Sequence, residues 1–189
     1  MNNKIKWIAG ALVAVVLMFG AYLLYDKLKE NYAPDRLASE NSSSQQNTAS
    51  QAQAVPDFTV TDYDGNEVKL SDYFGKPIVL NFWASWCYYC TKEMPDLNEA
   101  YKTQKDVQFL MVNMTDGSRE TISAAKKYIE SNGFGFPVFF DTKALAANAY
   151  SVSSLPVTYF IDKNGNLVTY ANGMLDAETL EKGIEMIKK

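Results

Sequence analysis

The 189-residue chain contains no histidine, and this absence removes several chemistries at once. Catalytic Ser-His and Cys-His pairs, histidine-ligated haem and most zinc sites all need an imidazole. Basic residues are also few: 18 lysines and arginines stand against 22 aspartates and glutamates, which gives a net charge of -4 and a sequence pI of about 4.9. Binding to a nucleic-acid backbone needs a basic face, so we expect no nucleic-acid partner.

Cysteine is scarce as well, since the chain has only Cys87 and Cys90, three residues apart. A single pair cannot build a multi-disulfide scaffold, and without histidine or a second pair it makes a poor metal site. Hydrophobic residues make up 47% and charged residues 21% of the chain, which is typical of a globular protein and excludes wholesale disorder. The length suits one membrane segment and one domain.

A long uncharged run lies near the amino terminus. Residues 7–25 have no charged side chain, and as a helix they would span about 29 Å, close to the hydrocarbon thickness of a bilayer. Trp7, Tyr22 and Tyr25 lie towards the ends, where aromatic rings favour the membrane interface. We therefore predict a membrane anchor within residues 1–32. A cleaved signal peptide and a buried core helix are the alternatives, although the apolar stretch of a signal peptide is usually shorter.

Residues 33–54 are predicted to form a flexible linker. From Ala38 to Ala54 the chain holds only serine, glutamine, alanine, asparagine, threonine and one glutamate, a composition that cannot build a core. Residues 55–189 have the size of one folded domain. We expect the linker to tether this domain to the membrane.

Hydrophobic patterns in residues 55–189 predict strands that alternate with helices, and hence an α/β fold whose mixed sheet is covered on both faces. The apolar run over 77–83 is typical of a central strand buried on both sides. Further strands are predicted over 107–114, 138–140, 157–161 and 166–170, with a hairpin over 57–70. Helices are predicted over 87–105, 121–131 and 143–150, and after Asp176. The inward faces of the second and the last helix are predicted to be Ile122, Ala125 and Ile129, and Leu180, Ile184 and Ile187.

Cys87 and Cys90 lie where the buried strand passes into a helix. Free N–H groups and the helix dipole stabilise an anion at this point, so a thiolate at Cys87 is favoured. Cys90 lies one turn further along the same side of the helix, where it can attack a mixed disulfide at Cys87. We therefore predict a redox-active disulfide and no separate cofactor or metal. An inert structural disulfide and a metal half-site are the alternatives.

Many short motifs in residues 55–189 occur together in one known order. They comprise residues 56–58, 70–72, 75–77, 81–87, Cys90, Glu93, Pro95, 136–137 and 155–162. In these motifs the chain resembles the membrane-anchored TlpA/ResA-like thiol-disulfide oxidoreductases of bacteria. The resemblance implies a thioredoxin fold, with a central mixed β-sheet flanked by helices, an added N-terminal β-hairpin and an insertion around residues 115–135.

The resemblance also implies roles beyond the cysteines. Pro156 matches the family's cis-proline, which would leave the backbone of Leu155 free to pair with a substrate strand. Glu93 matches an acidic position after the second cysteine and is a candidate to take the proton of the Cys90 thiol. Many thioredoxins carry a buried aspartate where Asn81 stands, and asparagine does not titrate, so any proton shuttle must use Glu93 or water.

The two residues between the cysteines differ from those common in relatives, which are proline, glutamate or histidine. Here they are Tyr88 and Tyr89. This dipeptide influences the stability of the thiolate and therefore the reduction potential. We predict that Trp86, Tyr88, Tyr89 and Leu155 contact the substrate, and that Trp83 and Trp86 pack beside the disulfide.

The cysteine pair, the anchor and the resemblance predict an extracytoplasmic thiol-disulfide oxidoreductase on the bacterial cytoplasmic membrane. Cys87 would attack a disulfide of an exported protein and Cys90 would resolve the intermediate. Possible substrates are apocytochrome c, oxidised methionine sulfoxide reductases and wrongly paired exported proteins. The implied electron donor is an integral membrane protein of the thiol-transfer type, and we expect a monomer. The alternatives are an oxidase that forms disulfides in exported proteins and a tethered binding module without redox turnover.

Overall fold

The computed structural model describes Met18 and residues 53–189. Apart from Met18, Gln53 and Ala54, the predicted anchor and linker lie outside these residues and stay predictions. In the part of the chain that is described, no helix is long and apolar enough to span a bilayer. The carbonyl of Gln53 accepts a hydrogen bond from the amide of Leu167 at 2.9 Å, so the folded part includes the end of the predicted linker.

Strands and helices alternate along residues 53–189, as the hydrophobic patterns predict. The strands are β1 (Thr59–Thr61), β2 (Glu67–Lys69), β3 (Ile78–Trp83), β4 (Gln108–Asn113), β5 (Val138–Phe140), β6 (Val157–Ile161) and β7 (Leu167–Asn172). The α-helices are α1 (Tyr88–Thr103), α2 (Ile122–Asn132), α3 (Leu145–Ala149) and α4 (Ala177–Ile187), and a short 3-10 helix covers Leu70–Tyr73.

All seven strands join one mixed sheet in the order β2-β1-β5-β4-β3-β6-β7. β3 is parallel to β4 and antiparallel to β6, and β4 is parallel to β5. Along one side of the sheet, β1 pairs antiparallel with both β2 and β5. At the other edge, β6 and β7 form an antiparallel hairpin. This confirms the predicted α/β architecture with a mixed sheet.

The central strand β3 separates two hydrophobic cores. All six of its residues are buried, which explains the continuous apolar run. Because side chains alternate across a strand, Val79 and Trp83 pack in the core under α1, α2 and α4, while Leu80 and Phe82 pack in the core under α3. The first of these cores also contains both cysteines, and it therefore supports the candidate site.

The prediction that Ile122 of α2 faces the core is wrong. Ala125 and Ile129 are buried as predicted, but Ile122 is 36% exposed. Thr121 caps the helix by accepting a hydrogen bond from the amide of Ala124 at 3.1 Å, so Ile122 is the first helical residue. It lies one turn before Ala125, the first of the two residues that are buried, and solvent reaches it there. The predicted inward faces of α2 and α4 are otherwise confirmed.

Helix α4 approaches β6 closely at Gly183. A Cβ atom built at Gly183 would overlap the ring of Phe160, which is fully buried and has no space to move. We expect Gly183→Ala to lower the free energy of unfolding by about 1–3 kcal/mol, because overpacking outweighs the better helix propensity of alanine. Chemical denaturation of the variant and the wild type measures this difference.

Gly135→Ala provides a matched control for that substitution. A Cβ atom there would meet only the ring of Tyr101, at an ordinary contact distance of 3.7 Å. We expect this variant to differ from the wild type by less than about 1 kcal/mol. Equal losses in both variants would contradict a specific clash at Gly183.

Candidate active site

The two cysteines lie in the turn between β3 and α1. The turn is closed by the amide of Cys87, which donates to the carbonyl of Ala84 at 3.1 Å. Cys87 is the N-cap residue of α1, and its Sγ accepts a hydrogen bond from the amide of Cys90 at 3.1 Å. The two residues form a disulfide with their Cα atoms 5.2 Å apart. The amide of Cys90, in the first helical turn, therefore points at the Cys87 sulfur, where it would stabilise a thiolate.

The two sulfur-bearing residues differ in exposure. Cys87 is 6% exposed, whereas Cys90 has no exposed surface. An external disulfide or thiol can therefore reach Cys87 more easily than Cys90. This asymmetry fits the predicted roles, in which Cys87 attacks and Cys90 resolves.

Glu93 is a buried carboxyl group one turn after Cys90 in α1. It is 1% exposed, its Oε1 accepts from Nδ2 of Asn81 at 2.8 Å, and its Oε2 accepts from the amide of Leu175 at 2.8 Å. Burial raises the pKa of Glu93 to about 7, while the two hydrogen bonds oppose that rise. A carboxyl group with such a pKa can take and return a proton near neutral pH.

Asn81 links Glu93 to the strand that follows the predicted cis-proline. Its Nδ2 donates to Oγ1 of Thr158 at 2.9 Å as well as to Glu93, and Asn81 and Thr158 are paired across β3 and β6. Within residues 53–189, its Oδ1 is buried without a hydrogen-bond partner. Asn81 therefore joins the acidic group to β6 by donating a hydrogen bond to each of them.

The peptide bond between Leu155 and Pro156 is cis, as the resemblance implies. Pro156 is buried and Leu155 is half-buried, just before β6 begins. Among the described residues, neither the amide nor the carbonyl of Leu155 makes a backbone hydrogen bond. This backbone can therefore accept pairing from an extended segment of another protein.

Three aromatic side chains beside the disulfide are exposed. Trp86 is 42%, Tyr88 66% and Tyr89 60% exposed, and the two tyrosine rings meet edge to face at 5.4 Å. The Arg119 guanidinium stacks 3.6 Å from the ring centre of Trp86. Trp83 instead is fully buried in the same core as both cysteines. The prediction for Trp83 therefore fits the structure, whereas Trp86 faces solvent and Arg119.

Sequence reasoning missed a second buried carboxylate, that of Glu120. It has no exposed surface, and it accepts hydrogen bonds from the amide of Ser85 at 2.9 Å, from Oγ of Ser85 at 2.7 Å and from Nδ2 of Asn113 at 2.7 Å. One signal could have indicated a polar cluster here. Asn113 ends β4 and Ser85 follows the end of β3 by two residues, and the carboxyl ends of these parallel strands meet at the same edge of the sheet.

Comparison with known proteins gives consistent similarities. Residues 52–170 match the model of the AhpC/TSA family. The chain is 41% identical over 136 residues to the thiol-disulfide oxidoreductase ResA of Geobacillus kaustophilus, covering 71% of this chain and 76% of the relative. It is 34% identical over 141 residues to the ResA of Bacillus subtilis, covering 74% and 76%.

A solved structure extends these similarities to the fold. The exposed lipoprotein thioredoxin of Streptococcus pneumoniae superimposes with a TM-score of 0.61 at 32% sequence identity. The match covers 69% of this chain and 98% of that chain. The resemblance drawn from the sequence motifs therefore agrees with all three comparisons.

Proposed function

Since this chain belongs to the AhpC/TSA family and is a thiol-disulfide oxidoreductase of the thioredoxin fold, we propose that it reduces disulfide bonds in exported proteins. The observation that carries the proposal is a disulfide at the start of α1 in which Cys87 is more exposed than Cys90, with a buried acidic group one turn beyond.

The proposed reaction has two exchange steps. The Cys87 thiolate attacks one sulfur of the substrate disulfide, which forms a mixed disulfide and releases the other substrate sulfur as a thiolate that takes up a proton. The Cys90 thiol loses its proton and attacks Cys87, which forms the Cys87–Cys90 disulfide and releases the second substrate thiol. In total, two electrons and two protons pass from the protein dithiol to the substrate disulfide.

Glu93 is proposed as the group that accepts the Cys90 proton in the second step. It lies three residues after Cys90 on α1, and a spacing of three places two side chains on one face of a helix. With a pKa of about 7, a large fraction of Glu93 is ionised and ready to accept a proton at neutral pH. Asn81 and the Leu175 amide hold the carboxylate in place.

The charges around the pair favour the reductase direction. Strong disulfide oxidants have a reduced form that is stabilised as a thiolate. Here the chain has no histidine, and the buried ionisable group one turn from Cys90 is the carboxyl group of Glu93. The Cys90 amide favours a thiolate at Cys87, whereas the negative charge that Glu93 carries when ionised opposes a thiolate in this site. The reduced form is therefore stabilised less than it would be without this acid, and we expect the pair to be a good reductant.

The proposed location is the extracytoplasmic face of the bacterial membrane. Disulfides persist mainly in oxidising compartments, so a reductase of exported proteins belongs there. The uncharged run over residues 7–25 is proposed as the anchor, and the similar pneumococcal protein is named as an exposed lipoprotein. The electrons would then come from an integral membrane protein that exchanges thiols with Cys87. Apocytochrome c and oxidised methionine sulfoxide reductases are candidate substrates.

The reduction potential of the pair tests the proposed direction. We expect a value near that of thioredoxin, roughly -270 mV, when the whole chain is equilibrated with mixtures of oxidised and reduced dithiothreitol. Alkylation of free thiols followed by mass spectrometry gives the reduced fraction at each ratio. A value near the roughly -120 mV of a strong oxidant such as DsbA would overturn the reductase proposal in favour of disulfide formation.

A further inference from the structure

The loop between β4 and α2 is closed on itself beside the active-site turn. Oδ1 of Asp116 accepts hydrogen bonds from the amides of Ser118 at 2.8 Å and Glu120 at 2.9 Å, and the amide of Gly117 donates to the carbonyl of Glu120 at 2.9 Å. These bonds fix the backbone of residues 116–120. Arg119 and Glu120 therefore project from a well-defined position.

Glu120 holds the residue at the centre of the active-site turn. Its carboxylate accepts from both the amide and the hydroxyl of Ser85, and from the amide side chain of Asn113 at the end of β4. Three donors around one carboxylate suit the ionised form, which only accepts hydrogen bonds. Ser85 lies two residues before Cys87, so this contact anchors the turn to the neighbouring parallel strand.

Arg119 holds the next residue of the same turn. Its guanidinium stacks on the Trp86 indole at 3.6 Å from the ring centre, a favourable cation–π geometry. Two consecutive loop residues thus contact two consecutive residues of the turn. Neither Arg119 nor Ser85 belongs to the two hydrophobic cores, since Arg119 is exposed and Ser85 is half-buried.

We infer that residues 116–120 form a brace that positions Ser85 and Trp86 and thereby sets the redox equilibrium of the Cys87–Cys90 pair. Glu120 and Arg119 are positioning residues in this inference, since they act through the turn rather than on the substrate. The inference rests on redox cycling of the cysteines, and it holds for either direction of electron flow.

Loss of the brace should move the redox equilibrium in one direction, towards the dithiol. A fixed turn keeps the two thiols close together, so disulfide formation loses less conformational freedom. The negative charge of Glu120 near the turn disfavours a thiolate at Cys87 and therefore destabilises the reduced form. Both effects favour the disulfide. Loss of the brace should therefore shift the equilibrium towards the dithiol and make the reduction potential less negative.

Three variants of the whole chain test this inference. Glu120→Gln keeps the shape but removes the charge, Ser85→Ala removes one hydrogen bond and keeps the charge, and Arg119→Ala removes the stacking on Trp86. We expect Glu120→Gln to shift the equilibrium constant with dithiothreitol towards the dithiol by threefold to tenfold, or about 15–30 mV, and Ser85→Ala to shift it less in the same direction. Arg119→Ala should change it least, because it also removes a cation that favours the thiolate.

Asp141→Asn is the matched control. Asp141 is also a buried acidic residue of this domain, but its Oδ2 accepts from the amide of Ala147 in α3 rather than from the active-site turn. We expect its equilibrium constant to equal that of the wild type. An unchanged constant in Glu120→Gln and Ser85→Ala, a shift towards the disulfide in either of these two variants, or an equal shift in Asp141→Asn would each overturn the inference.

A thermodynamic cycle gives an independent check of the same quantity. A group that favours the disulfide must stabilise the oxidised protein against unfolding more than the reduced protein, by the same factor. Denaturation of both redox forms of wild type and Glu120→Gln therefore has to reproduce the measured shift in the redox equilibrium. A purely structural role would weaken both forms equally and would contradict the brace.

The outcome is separable from that of the proposed function. A strongly oxidising wild-type potential would remove the proposed reductase direction, yet the difference between wild type and Glu120→Gln would still measure the brace. A strongly reducing wild-type potential with no difference between the variants would remove only the brace.

Discussion

Replacement of Cys87 by serine is expected to abolish disulfide exchange, with a rate loss on the order of a thousandfold or more for a protein disulfide. The attacking species in this chemistry is a thiolate, and a serine hydroxyl is not ionised at neutral pH. Cys90→Ser should retain the first attack, because Cys87 is the more exposed member of the pair, at 6% against none for Cys90. It should then stop at the mixed disulfide, since no second thiol is left to resolve it.

Mass spectrometry of the two variants after incubation with oxidised glutathione separates these roles. We expect a stable glutathione adduct on Cys90→Ser and little or none on Cys87→Ser. Thr91→Val is a suitable control, because its hydroxyl only donates to the carbonyl of Tyr88 at 2.8 Å in the same helical turn. It should keep the wild-type rate within about threefold. An adduct on Cys87→Ser and none on Cys90→Ser would reverse the assigned roles.

Much of the fold follows from patterns that are local in the sequence. The apolar run of β3 is too continuous for a strand with one face in solvent, and the structure buries the strand on both sides. Leu180, Ile184 and Ile187 are spaced by helical turns, and all three are buried in α4. In these elements a single dominant pattern fixes both the type of structure and the face that packs.

The parts that could not be predicted depend on contacts between distant residues. Glu120 binds Ser85 across 35 positions, and nothing in its own neighbourhood distinguishes it from a solvated loop glutamate. Glu93 could be selected from its spacing to Cys90 and from the resemblance, but its partner Leu175 lies 82 positions away. Helix ends are similarly difficult, because hydrophobic spacing does not say where the sheet beneath stops, as Ile122 shows.

The second large effect is expected at Glu93, in the pH dependence of stability of the oxidised protein. Burial raises its pKa from 4.5 to about 7, so between these values the folded protein binds more protons than the unfolded chain. The folded protein therefore gains stability from the protonated form of Glu93. This gain is complete below pH 4.5 and is lost as the pH rises through 7. The shift corresponds to about 3 kcal/mol, so wild type should lose that much relative to Glu93→Gln between pH 4.5 and 8.

Denaturation of the disulfide form at a series of pH values measures this difference without interference from titrating thiols. Glu99→Gln on the same helix is the matched control, because Glu99 is exposed and pairs only with Lys102 at 3.5 Å. Its stability should follow that of the wild type at every pH. If the gap between wild type and Glu93→Gln stays constant with pH, Glu93 does not titrate near neutrality in the folded protein. Glu93 would then not be the proposed proton acceptor for Cys90, and a water molecule would have to take that proton.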